Sequence, residues 1–254
     1  MSAFLPQHLP LVTLAAAGAG LFAAGLCKGV LGLGLPLIGV PVLATFLPPH
    51  DVVAIMWLSL VVTNAWQAFQ GGSAGEVTRR FWPLIAMLAV GGWAGTALLV
   101  ALDENLLLAA VGAIVMTFAT LGLAHPRIAL PDRFERPVGI AVGLGAGVLL
   151  GIALHVGPLL ALFYVALRLP KETFIKATGV TFLAGVLIIG VFYAAYGVFA
   201  PRHVVPMVAA LVPVGAGLWL GQRLRHRIDE VRFRKWLFAL LIVIGANLVR
   251  RALI

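Results

Sequence analysis

Carboxylates are scarce in this chain of 254 residues, and none stands inside an apolar run. All nine, Asp51, Glu76, Asp103, Glu104, Asp132, Glu135, Glu172, Asp229 and Glu230, fall in loops or at the ends of apolar segments. That disfavours cation transport and proton relays built on Asp or Glu, since such groups must lie deep in the membrane. It also disfavours metal-dependent membrane enzymes, which need clustered carboxylates or histidines. No H-E-x-x-H occurs. The single cysteine, Cys27, excludes an intramolecular disulfide and any multi-cysteine metal site. No catalytic residue, metal or cofactor is expected. The N-terminal stretch MSAFLPQHLP lacks the basic region of a cleaved signal peptide, so the first apolar run reads as a retained segment.

What is abundant is apolar surface. Hydrophobic residues make up 62% and charged residues 11%, against about 45–50% and about 25% in soluble domains. No single globular core hides that much apolar surface, whereas a bilayer is itself an apolar solvent. The net charge of +9 would suggest nucleic acid in a soluble protein. Here the basic residues sit in short loops between apolar runs, so no nucleic acid is expected.

Ten apolar segments follow one another, over 9–27, 29–47, 52–70, 81–102, 105–123, 137–153, 156–169, 174–199, 203–221 and 233–253. Helices are expected, because backbone exposed to lipid must satisfy its own hydrogen bonds. If all ten cross, fifteen Lys and Arg fall on one side and three, Arg202, Arg250 and Arg251, on the other. The positive-inside rule then puts the rich side in the cytoplasm and both termini outside. Segments one–two and six–seven must each return to the side they left. Two full helices or one re-entrant hairpin would both do so.

The halves of the chain resemble each other. At an offset of 122, Gly25, Gly29, Pro36, Leu47 and Pro48 meet Gly147, Gly151, Pro158, Leu169 and Pro170, and Ser59 meets Thr181. At an offset of 126, Gly91 and Gly95 meet Gly217 and Gly221, and Asp103-Glu104 meets Asp229-Glu230. Five segments per half is an odd number, so the halves are expected in opposite orientations, a common transporter plan. The expected division is a membrane repeat over 1–123, a cytoplasmic loop over 124–136 and a second membrane repeat over 137–254.

Chemistry is expected where helices break. The run from Gly25 to Pro41 holds Gly29, Gly32, Gly34 and Gly39 with Pro36 and Pro41. Proline removes a backbone donor and glycine weakens a helix. A helix restarting there offers free N–H groups to an anion. The mate of this run, Gly147 to Pro158, contains Gly151, His155 and Gly157. Close helix packing through small residues is the competing reading for any one of these glycines. Lys28 either holds an anionic group or caps a turn and snorkels to the headgroups. His155 either donates to an anion or exchanges a proton, or rests neutral in the bundle. Asn64 and Gln67 share a helix face, and with Ser59, Thr178 and Thr181 they line a path or bond neighbouring helices.

With these features the chain resembles the TauE/SafE family of sulfite exporters, also called TSUP. The resemblance rests on the Gly-rich break from Gly29 to Pro36 and Pro41, its second copy through Pro158, and the Gly91/Gly95 and Gly217/Gly221 helices followed by Asp-Glu. Many members carry three consecutive glycines where this chain reads Gly32-Leu33-Gly34. The resemblance implies transport of sulfite, a sulfonate or another organosulfur anion across a bacterial plasma membrane. The expected fold is an all-α polytopic membrane protein of two inverted five-segment repeats. The expected function is secondary transport of a small anion, held by Lys28, Gly29, Gly32, Gly34, Pro36, Asn64, His155, Gly157 and Pro158. An anion channel and a non-enzymatic assembly factor are the alternatives. Partners are the anion and the lipid bilayer, with self-association left open.

Overall fold

The structure is a computed structural model that describes residues 11–69, 74–124, 129–224 and 230–253. Ten α-helices run through them: α1 (Leu11–Leu31), α2 (Leu35–Leu43), α3 (Pro49–Phe69), α4 (Ala74–Ala101), α5 (Glu104–Ala124), α6 (Glu135–Ala153), α7 (Gly157–Ala166), α8 (Lys171–Ala195), α9 (Val204–Leu224) and α10 (Glu230–Leu253). The described residues contain no strand. Seven helices, α1, α3, α4, α5, α6, α8 and α9, are long and apolar enough to cross a membrane. The protein is therefore an all-helical, polytopic membrane protein. Residues 125–128, the middle of the expected cytoplasmic loop, lie outside the described residues, as do the basic residues at 225 and 227.

α2 and α7 are different. They have 9 and 10 residues, and at about 1.5 Å per residue each reaches about half of the roughly 30 Å hydrocarbon core. α2 folds back along α1: a Cβ built on Gly20 would meet Val42, and one on Gly39 would meet Ala24. α7 folds back along α6 in the same way, with Gly145 against Leu159 and Gly139 against Phe163. Each pair is thus a helical hairpin with one long and one short arm. Hydropathy separated the two arms of each pair, 9–27 from 29–47 and 137–153 from 156–169, but left two full helices and one re-entrant hairpin both open.

The first turn is made by residues that no helix tolerates well. Gly32 and Gly34 take φ of 76° and 103°, and Pro36 starts α2 where its missing N–H costs nothing. The second turn has no glycine at its pivot. Leu154 itself is left-handed, with φ 58°. Gly29 and Gly151, by contrast, lie inside continuous helices, so the break is narrower than the run from Gly29 to Pro41 suggested.

Those glycines serve packing. A Cβ on Gly25 or Gly29 of α1 would strike the α9 backbone at Val214 or Leu218. One on Gly217 or Gly221 of α9 would strike α1 at Phe22 or Leu26. The same contact recurs between α6 and α4. Gly147 and Gly151 meet Leu88 and Gly92, while Gly91 and Gly95 meet Leu144 and Val148. In lipid, close backbone approach of this kind supplies the dispersion contacts that hold helices together. Each contact joins a helix from the first half of the chain to one from the second.

Polar links complete the frame. Trp57 Nε1 of α3 donates to Val186 O of α8 at 2.7 Å. Arg80 of α4 forms a two-point pair with Glu135 of α6. Asp51 of α3 accepts from Arg202, at 3.0 Å, and pairs with His203 Nε2 at 2.8 Å. At the C-terminal end of α2, Arg251 of α10 donates to Ala44 O and Thr45 O, at 3.3 and 2.7 Å.

Candidate functional site

The first hairpin carries the buried cation. Lys28 stands in the last turn of α1, with 3% of its surface exposed. One turn later Gly32 N–H donates to Lys28 O, closing the helix before the chain reverses. Lys28 Nζ donates to Asn64 Oδ1 of α3 at 2.5 Å. Among the described residues no carboxylate pairs with it. A lysine buried in apolar surroundings is costly, so an amide oxygen alone is weak compensation.

What surrounds Lys28 is rich in donors. An ammonium can only donate, so Asn64 turns its oxygen to it. The Asn64 Nδ2 group is left buried without a hydrogen-bond partner. Ser59 Oγ, more than one turn earlier on the same helix, is likewise buried and unpartnered. Gln67 Nε2 would be 3.9 Å from a Cβ at Gly32, so its amide reaches the turn itself. α2 begins here as well, and the N–H groups of Leu35 and Leu37 in its first turn have no intrahelical acceptor. Its other end is capped by Arg251, so the cation sits at the C-terminus and the N-terminus is left for negative charge.

The second hairpin places His155 in its turn, fully buried. The ring Nδ1 is 2.6 Å from Ala153 O, and Nε2 has no partner. Gly157 and Pro158 open α7 immediately afterwards. No hydrogen bond among the described residues joins His155 to Lys28 or Asn64.

The remaining hydroxyls are taken. Thr178 donates to Phe174 O at 2.7 Å and Thr181 to Ala177 O at 2.5 Å, each within its own helix. Thr181 also accepts from Tyr164, at 3.1 Å. Sequence reasoning passed over Tyr164 and over Tyr193, whose hydroxyl donates to Gly151 O at 2.9 Å. A signal existed: tyrosine in membrane proteins favours the interface, so one in mid-segment needs an internal partner.

A cavity of about 490 Å³ opens between α3 and α9, lined by Val62, Trp66, Phe69, Leu211, Val214 and Leu218 with Thr63. Thr63 Oγ1 already donates to Ser59 O. The lining is almost wholly apolar and carries no charged side chain, so an anion there would lose hydration with little compensation.

The description "Sulfite exporter TauE/SafE" fits a family model that matches residues 16–248. The chain belongs to the TauE/SafE family. None of the curated proteins and none of the solved structures matches the chain. The TauE/SafE match spans both hairpins, including Lys28, Asn64 and His155. As a TauE/SafE protein it is a membrane transporter, in a family named for sulfite export.

Proposed function

We propose that this protein is a secondary transporter of a small anion, sulfite or an organosulfonate, across a bacterial plasma membrane. The observation that carries this reading is the buried Lys28 ammonium. It has no carboxylate partner among the described residues, and the unpartnered Asn64 Nδ2 lies beside it. Lys28 supplies charge. Asn64, Ser59 and Gln67 supply neutral donors. Gly32, Gly34 and Pro36 start the half-helix whose N–H groups complete the site, and Gly29 brings α1 close enough to α9 to hold Lys28 in place. His155, Gly157 and Pro158 form the corresponding element of the second half, and Thr178 and Thr181 line the way between.

Two inverted repeats, 1–123 and 137–254, joined through 124–136, would let the halves rock about the anion and expose it alternately. The reciprocal contacts support the repeat itself. α1 lies on α9 through Gly25, Gly29, Gly217 and Gly221, and α6 lies on α4 through Gly147, Gly151, Gly91 and Gly95. The turn residues Gly32 and Leu154, both left-handed, are 122 positions apart, as the repeat requires. Basic loops inside and both termini outside follow from the charge distribution.

The test is a thermal-shift series on purified protein with sulfite, methanesulfonate, taurine, acetate and chloride. Sulfite or a sulfonate is expected to raise the melting temperature, with Lys28→Ala losing the response. Equal melting with all five would contradict the reading.

A further inference from the structure

His155 carries chemical information in its hydrogen bond. The partner of Nδ1 is a carbonyl, Ala153 O. A carbonyl can only accept, so Nδ1 holds a proton. In the neutral ring Nε2 is then a bare lone pair. It is fully buried and has no partner among the described residues. A lone pair repels an anion. The same nitrogen, once protonated, donates to one.

The position is built to matter. The turn is pinned by Leu154 N–H to Leu150 O at 2.8 Å and His155 N–H to Leu149 O at 3.2 Å. α7, whose first turn follows directly, has ten residues and presents its N-terminus beside the ring. The titratable groups nearby are engaged or remote. Tyr193 of α8 donates to Gly151 O, and Tyr164 of α7 donates to Thr181. Asp103, exposed beyond the end of α4, accepts from Leu106 N–H at 2.9 Å. The charged residues of α4, α6 and α8 stand in the first two turns of those helices, namely Glu76, Arg79, Arg80, Glu135, Arg136, Lys171, Glu172 and Lys176. α7 has none. No carboxylate among the described residues bonds His155 to compensate a positive ring.

We propose that His155 Nε2 takes up one proton with each anion bound, so that anion transport by this protein is proton-coupled. One N–H bond forms at Nε2, the proton comes from water on the side to which the site is open, and it leaves with the anion on the other. The inference rests on the anion-transport reading above, and adds to it the coupling ion and the residue that carries it. It also gives a use to the neutral ring: an empty site returns without a buried positive charge at His155.

The experiment counts protons. Purified protein in weakly buffered detergent solution is titrated with methanesulfonate, which stays ionised throughout, while a pH dye is read. Sulfite is run beside it, with its own protonation measured without protein. Wild type is expected to take up about one proton per anion, and its affinity to fall about tenfold per pH unit where the free ring is neutral. His155→Gln, which can still donate to Ala153 O but cannot titrate, should bind with clearly less uptake and a shallower pH profile, any remainder belonging to the Lys28 amine. Its melting temperature shows that it folds, and His155→Asn replaces it if it does not. Binding by wild type without proton uptake, or undiminished uptake in the variant, overturns the proposal. Binding of neither anion by wild type instead overturns the anion-transport reading, and this inference with it.

Discussion

Asn64 gives its carbonyl oxygen to Lys28 Nζ and keeps its NH2 group buried without a partner. The pair therefore offers an anion two kinds of donor and no competing charge. Asn64→Asp tests this with almost no change of shape. The new carboxylate would pair with Lys28 and cancel its charge. Melting should stay level or rise, while sulfite affinity falls roughly tenfold or more, the scale of a lost charge-assisted hydrogen bond of about 1.5–3 kcal/mol. Scanning calorimetry reads the melting and isothermal titration the affinity. Wild-type affinity in this variant would remove the pair from the site.

Glycine at position 29 is expected to be needed for helix contact. Its Cβ would overlap the backbone at Leu218, where nothing flexible can yield, whereas Gly18 has open space. Gly29→Ala should lower stability by about 1–3 kcal/mol, the usual cost of overpacking. Gly18→Ala should be neutral or slightly stabilising in melting experiments. Equal effects would argue against the α1–α9 contact.

Arg251 closes the C-terminal end of α2 by donating to Ala44 O and Thr45 O. Replacing it with alanine should loosen the short arm, at about 1 kcal/mol for charge lost from a helix C-terminus. Hydrogen exchange would show this as faster exchange at Val40, Val42 and Leu43, with α1 unchanged. Arg251→Lys should restore part of the protection.

Much of this was readable from composition and spacing. Hydropathy located all ten helices, and the Gly32, Gly34 and Pro36 spacing located the first turn. Three things were not readable. Gly29 and Gly32 are identical letters three positions apart, and only α9, nearly two hundred residues later, makes one a packing contact and the other a turn. The pivot of the second turn is Leu154, just ahead of the expected break at His155 to Pro158 and a residue with no intrinsic preference for positive φ, so the break was legible and its pivot was not. Arg251 could be sorted by side, but its carbonyl partners belong to a helix at the far end of the chain. At the candidate site, Lys28 and Asn64 were each legible as polar residues in apolar runs. Their contact across 36 positions was not.

Orientation has its own test. In a Cys27→Ser background, single cysteines at Phe134 and Val205, both exposed, should be labelled by an impermeant maleimide from opposite sides. Phe134→Cys should react only after the cytoplasm is opened, and Val205→Cys in intact cells. Labelling of both from one side would contradict the two-orientation arrangement.

The most direct measurement is counterflow of radiolabelled sulfite in proteoliposomes preloaded with unlabelled sulfite. Wild-type protein is expected to accumulate label transiently and saturably, and Lys28→Ala to show none despite normal folding. Accumulation by Lys28→Ala at the wild-type rate would contradict the account.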